Sequence, residues 1–120
     1  MKEIRMKIKF ESQEKWLRFS IVEKGGWTPT TFFPQLDSAV EKIKLAMEKN
    51  TEKHVLFDLS TLKSLDSSII SLVIQTIRLG QRRKVNIIAS HEDVLNMLQL
   101  LGIDELAYVY SSESLMDEDV

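Results

Sequence analysis

Apolar and charged residues alternate in the first part of the chain. From Ile4 to Phe10 every second residue is apolar, and a less regular version of the same pattern runs from Trp16 to Val22. Such alternation is typical of strands that bury one face. Residues 11–14, which lie between the two segments, are all polar. The pattern therefore predicts two strands joined as a hairpin.

Two later segments have helical periodicity. The first predicted helix runs from about Pro34 to Lys49, because proline suits the first turn of a helix. The second runs from Ser67 to Leu79, with Gly80 marking its end and Asp66 or Ser64 as its cap. The residues assigned to the buried faces recur at steps of three and four: Leu36, Ala39, Val40, Ile43 and Met47 in the first helix, and Ile70, Val73, Ile74 and Ile77 in the second.

Short apolar runs predict the remaining strands. His54–Leu59 is nearly continuous in apolar residues and is interrupted only by Asp58, as expected for a central strand covered on both faces. Residues 85–89 form a similar run, and residues 108–110 predict a short last strand.

A third helix is predicted from His91 to about Leu101. Ser90 and the carboxylate three residues later resemble a capping box, and Gly102 marks the end of the helix. Ser111 is expected to cap a brief terminal helix. Strands that alternate with helices predict an α/β fold, a single domain over residues 1–120 with a mixed, mostly parallel sheet flanked by α-helices.

Composition and charge exclude several classes of function. The chain has 120 residues, a net charge of -2 and no cysteine. We therefore expect no nucleic-acid partner, no disulfide framework, no thiolate nucleophile and no zinc site built on sulfur. The N-terminus has no apolar signal core and no run is long enough to span a bilayer, so we expect a cytoplasmic protein without membrane insertion.

No catalytic or metal-binding constellation stands out among the polar residues. His54 and His91 lack a metal-ligand spacing, and Asp58 with Asp66 is not joined by a histidine or glutamate pattern. Asp58 is expected to accept hydrogen bonds from turn amides at the end of its strand. We expect no cofactor, no metal and no enzymatic activity. Two interpretations remain for the aromatic residues Trp27, Phe32 and Phe33 of the loop 23–33: they anchor a partner, or they fold back onto the core.

Four stretches of the second half of the chain stand in a distinctive order and spacing: His54–Leu59, Leu65-Asp66-Ser67-Ser68, Val85–Ala89 and Leu98–Ile103. In this order and spacing they resemble the STAS family, in its anti-sigma factor antagonist branch. The resemblance covers about half of the chain, and its most specific element is the Asp-Ser-Ser turn between a buried strand and a helix. The family's usual Gly-Glu-Leu-Asp segment after the early strands is absent.

The resemblance implies a bacterial protein-binding switch in signal transduction. In this branch the first serine after the aspartate is phosphorylated by an anti-sigma factor that is also a serine kinase, which carries the role of phosphoacceptor onto Ser67. The antagonist sequesters that anti-sigma factor and so regulates transcription. The partner-binding residues implied are Asp58, Asp66, Ser67, Ser68 and Ile69.

Other interpretations remain open. Ser67 alone would more simply be a residue that satisfies helix amides. The family usually has glycine where this chain has Ile69, which we expect on the exposed side of the first turn, narrowing the approach of another backbone. That departure favours a constitutive STAS subunit or scaffold, as in stress-signalling or lipid-transport complexes, without phosphorylation. Homodimerisation is also open. A small enzyme or nucleotide-binding domain has only the α/β fold in its favour.

Overall fold

The structure, a computed structural model, describes residues 5–24, 36–65, 67–79 and 85–119. Within these ranges the side chains of 5–7, 23, 24, 36, 37, 68, 118 and 119 are not described. The strands are β1 (Arg5–Ser12), β2 (Trp16–Lys24), β3 (His54–Asp58), β4 (Val85–Ile88) and β5 (Tyr108–Tyr110). The helices are α1 (Leu36–Lys49), α2 (Ser67–Leu79), α3 (Glu92–Leu100) and α4 (Glu113–Asp119), with a short 3₁₀ helix at Ile103–Glu105.

The five strands form one sheet in the order β1-β2-β3-β4-β5. The first two strands are antiparallel, and Gln13 N donates to Trp16 O at 2.8 Å in the turn between them. Each later neighbouring pair is parallel. The predicted α/β fold with a mixed, mostly parallel sheet is confirmed, including the opening hairpin. The predictions for Pro34 and for the loop 23–33 fall mainly outside the described residues.

The main core lies between one face of the sheet and the helices α1, α2 and α3. Because side chains alternate along a strand, every second residue of β2, β3 and β4 faces this core. The rings of Phe10, Phe19 and Phe57 form a row across the sheet, with centroid separations of 5.3 and 6.1 Å. The buried residues of this face include Leu17, Ile21, Ala39, Ile43, Met47, Val55, Val85, Ile87, Val94 and Leu98.

The second face of the sheet is covered by α4. Leu56, Ile88 and Met116 form a small buried cluster there, and Trp16 and Tyr110 pack against it while half-buried. Met116 is 1% exposed, although α4 has only seven residues. The sheet therefore separates a large core from a small one, as the continuous apolar run of β3 requires.

The helix α2 has the predicted bounds, but its buried face is shifted. Ile69, Leu72, Val73 and Thr76 are buried. Of the predicted residues, Val73 is confirmed as buried, Ile74 and Ile77 pack partly buried against the core, and Ile70 is half-buried. The buried face is rotated because α2 is apolar at most positions, so periodicity alone does not define one side. Thr76 is accommodated in the core because its hydroxyl donates to the Leu72 carbonyl at 2.8 Å.

Two helix caps lie one residue beyond their predicted positions. The N-cap of α3 is His91, whose Nδ1 accepts from the Asp93 amide at 3.2 Å, so the predicted capping box at Ser90 is wrong. At α4 the hydroxyl of Ser112, rather than that of Ser111, accepts from the Leu115 amide at 3.3 Å. Gly102 follows the end of α3 with a φ of 73°, as predicted for a glycine stop.

Candidate functional site

The turn between β3 and α2 is held against the core by leucines. Leu59 and Leu62 are buried, and Leu65 packs partly buried against the same cluster. Between them Thr61, Lys63 and Ser64 are exposed. Apolar residues at every third position therefore fix the path of the turn while its polar residues face solvent.

Hydrogen bonds tie this turn to both neighbouring strands. The Leu59 amide donates to the Ile88 carbonyl at 2.8 Å, and the Thr61 hydroxyl donates to the Ile21 carbonyl at 2.9 Å. Within the turn the Leu62 amide donates to the Leu59 carbonyl at 3.0 Å. These bonds fix residues 59–62 at the end of the sheet where the parallel strands finish.

Ser67 is the first residue of α2 and is exposed. Its position at the start of a helix places it at the positive end of the helix dipole. Ser68 follows it within α2, but its side chain is not described, and Asp66 lies outside the described residues. Among the predicted site residues whose side chains the structure describes, Ser67 is the exposed one.

Ile69 lies in the core and not on the surface. Its exposed fraction is 0%, so the prediction that it begins the exposed side of the first turn is wrong. At the third position of α2 its side chain points to the same interior as Leu72 and Val73. Consequently Ile69 does not narrow the approach of another backbone to Ser67. Its presence in place of the family glycine therefore does not disfavour a kinase partner.

The outer face of α2 is almost without charge, a feature that the sequence interpretation missed. Ser67, Ser71, Ile74 and Arg78 follow one another at steps of four, three and four, so they share one side of the helix. Ser71 is half-buried, and Gln75 Nε2 donates to its Oγ at 3.0 Å. Ile74 is also half-buried, because it packs against the core at the side of this face. Arg78 is the only charged residue of α2. The signal that could have found this face is that α2 has one charged residue among 13.

Asp58 lies beneath the turn, at the end of β3, and is 8% exposed. Its Oδ1 accepts from the Ser60 amide at 2.9 Å, which confirms the predicted role as an acceptor for a turn amide. The sequence interpretation missed its second partner, Arg18 of β2, which donates to Asp58 and also to Glu113 of α4. This group, Arg18, Asp58 and Glu113, is called the ion network below.

The ion network keeps Arg18 and Asp58 charged. Burial alone would raise the pKa of Asp58, but hydrogen bonds from the Ser60 hydroxyl and amide and from Arg18 hold that pKa below its usual value. Burial would likewise lower the pKa of Arg18, but its bonds to Asp58 and Glu113 outweigh this effect and raise it. Asp58 therefore acts as an ionised acceptor that joins the turn to β2 and, through Arg18, to α4.

Two further observations concern the classes of site considered above. Within the described ranges, no group of three or more His, Asp or Glu side chains is placed to hold a metal ion. Among the helices of residues 36–119 that the structure describes, none is long and apolar enough to cross a bilayer.

Comparison with known proteins agrees with this fold. The family model of the STAS domain matches residues 10–115 of this chain. The crystal structure of a putative anti-sigma factor antagonist from Thermotoga maritima is similar, with a TM-score of 0.63 and 14% sequence identity. The similarity covers 94% of this chain and 93% of that one. No curated protein sequence matches the chain. At this identity the structural likeness shows the fold.

Proposed function

Because the chain belongs to the STAS domain family, we propose that it is a bacterial, cytoplasmic anti-sigma factor antagonist without enzymatic activity. It binds an anti-sigma factor of the serine kinase type, and phosphorylation of Ser67 releases that partner. The observation that carries the proposal is the exposed position of Ser67 as the first residue of α2. Residues 1–120 act in this role as one domain.

The surroundings of Ser67 support a switch that acts on the interface. A phosphate adds about 1.5 to 2 negative charges, and a helix start tolerates negative charge because of its dipole. Phosphorylated Ser67 therefore leaves the fold intact. A partner seated on the nearly uncharged outer face of α2 would have to bury that phosphate, and the desolvation and repulsion weaken the complex.

The predicted partner-binding residues divide into two roles in this proposal. Asp66, Ser67 and Ser68 contact the partner, together with Ser71 of the outer face. Ile69 and Asp58 hold the contact residues in place, because Ile69 lies in the core and Asp58 lies beneath the turn. With Ile69 buried, no described residue favours the constitutive scaffold over the switch.

A pull-down from lysate of the source cells tests the proposal, with wild type, Ser67→Ala and Ser67→Asp as baits. Mass spectrometry identifies the partners and any phosphorylated serine. The matched control is Ser114→Asp, which adds the same charge at an exposed serine of α4. We expect wild type, Ser67→Ala and Ser114→Asp to capture an anti-sigma factor with a kinase domain, and Ser67→Asp to lose it.

A second variant tests the docking face. Ser71→Asp places a charge among the uncharged residues of α2 without altering Ser67 or a core residue, so we expect it to weaken capture of the same partner. The proposal is wrong if all baits bring down one membrane or scaffold complex equally and Ser67 is never phosphorylated. That outcome identifies a constitutive STAS subunit.

A further inference from the structure

A second apolar surface lies at the far end of α3. Met97, Leu100 and Leu101 at the end of this helix, with Leu106 just after the 3₁₀ helix, are exposed and are called the leucine patch below. Leu100 is 83% exposed and Leu106 is 56% exposed. Four of the large apolar side chains that are exposed in the described residues fall within ten residues of the sequence, and such a concentration is typical of an interaction surface.

The leucine patch is not required by the core. The core contacts of this region are made by Val94, Leu98 and Ile103, each 0 or 1% exposed. In α3, Met97 lies three residues before Leu100, so these two side chains share a side that Val94 and Leu98 do not use. Leu101 is the C-cap residue that follows the helix and is 45% exposed. The apolar residues of the patch are therefore in excess of what folding needs.

The charges around the leucine patch are all of one sign along the chain. Asp93 precedes Met97 by one helical turn, and Asp104 and Glu105 follow Leu101 directly; all three are exposed. From residue 85 to residue 120 the sequence has eight acidic residues and no lysine or arginine. All 16 lysines and arginines lie in the first 84 residues. Along the sequence, carboxylates therefore stand on both sides of the apolar residues of the patch.

We propose that the leucine patch binds an amphipathic helix of a partner protein, with lysines or arginines flanking the apolar face of that helix. An amphipathic helix buries its apolar stripe in a surface of this kind. Complementary charge selects a basic partner and repels an acidic one. In a second copy the described helix that carries lysines is α1, and α1 already buries its apolar face, with Ala39, Ile43 and Met47, in its own core. The occupant is therefore a basic helix from a different protein.

The leucine patch and Ser67 lie at opposite ends of the parallel strands. The helix α2 begins after the carboxyl end of β3, whereas α3 runs back and ends before the amino end of β5. A protein bound at Ser67 leaves the patch uncovered. The inference goes beyond the proposed switch, because it gives the domain a second binding site that does not respond to phosphorylation of Ser67.

Two synthetic peptides of about 18 residues, long enough for measurable helicity, test the inference. Both have leucines on one helical face; one has lysines and the other glutamates on the flanks. Each is titrated into the full ¹⁵N-labelled chain, and the amide shifts give the dissociation constant and the residues affected. We expect the lysine peptide to bind with shifts centred on 97–106, more weakly as salt is added, and the glutamate peptide not to bind.

Variants of the exposed residues make the test specific. Leu100→Ser with Leu106→Ser, and separately Asp104→Lys with Glu105→Lys, should each weaken binding of the lysine peptide at least tenfold. The matched control is Leu45→Ser, which removes a leucine of α1 that is 52% exposed, and it should bind as wild type does. Far-UV circular dichroism of each variant checks that the fold is retained.

Three results would overturn the inference. The first is equal binding of the lysine peptide by the leucine double variant and the wild type, and the second is a set of amide shifts centred away from 97–106. The third is self-association of the wild type in sedimentation velocity that the leucine double variant abolishes, because the occupant would then be a second copy. None of these measurements depends on Ser67, so their failure is separate from failure of the proposed switch.

Discussion

Replacing Arg18 by methionine tests how much the ion network stabilises the fold. Methionine keeps most of the aliphatic length and removes the charge, which leaves the Asp58 carboxylate with its Ser60 partners only. The side chains of Arg18 and Asp58 are 20% and 11% exposed. A hydrogen bond to a charged group contributes about 1.5–3 kcal/mol, and loss of one partner of a fully buried pair costs about 3–5 kcal/mol.

Because the pair is partly solvated, we expect Arg18→Met to lower the free energy of unfolding by about 2–3 kcal/mol at pH 7. For 120 residues the unfolding entropy is about 0.25 kcal/mol/K, so Tm should fall by roughly 8–12 °C. Thermal and urea unfolding followed by circular dichroism measure both quantities. The control is Glu113→Gln: its carboxylate is 51% exposed, so we expect a loss below about 1 kcal/mol.

The dependence on pH gives a second measurement of the same interaction. The folded-state pKa of Asp58 lies below its usual value, so the contribution of the carboxylate is complete above about pH 4 and is lost as the pH falls through the lowered pKa. The difference between wild type and Arg18→Met should therefore shrink in acid. If the variant unfolds within 0.5 kcal/mol of wild type at pH 7, or the difference does not change in acid, this account of the network is refuted.

Three other substitutions test separate features. Ile69→Ala opens a cavity in the core, so it should lower the free energy of unfolding, measured in urea, by about 2–4 kcal/mol. The folded variant should still capture the partner, and loss of capture would mean that Ile69 acts at the interface. Gly102→Ala should cost about 1–2 kcal/mol in the same assay through backbone strain alone, since φ is 73° and no atom lies within 4 Å of the added Cβ; a neutral result would contradict that conformation. Ser112→Ala should cost about 0.5–1 kcal/mol through loss of the α4 cap, and Ser111→Ala should be close to neutral; the reverse order would restore the original cap assignment.

The order and type of the elements follow from the sequence because they depend on local patterns. The apolar run of β3 and the periodicity of α1 are visible within windows of a few residues, and a glycine stop is readable at Gly102. The caps were displaced by one residue because neighbouring polar side chains compete for the same amides. The Asp93 amide was predicted to donate to Ser90, but it donates to the imidazole of His91, which lies two residues before it.

The candidate site was less predictable because its contacts are distant in sequence. Arg18 is 40 residues from Asp58 and 95 residues from Glu113, and no local pattern relates them. In α2 the abundance of apolar residues hid which side faces the core, so Ile69 was assigned to the surface. The family resemblance supplied Ser67, but it could not supply the uncharged outer face, which depends on how α2 is rotated against the sheet.

The position of α4 has a consequence for how the protein opens. In the described part of the chain, α4 is the helix that covers Leu56 and Ile88, and it does so with Met116 and one exposed carboxylate contact to Arg18. So few contacts allow α4 to detach while the main core stays folded. Amide hydrogens of α4 and β5 should therefore exchange with solvent before those of β3. Each such opening uncovers an apolar strip of the sheet, so a docked α4 protects the protein from aggregation.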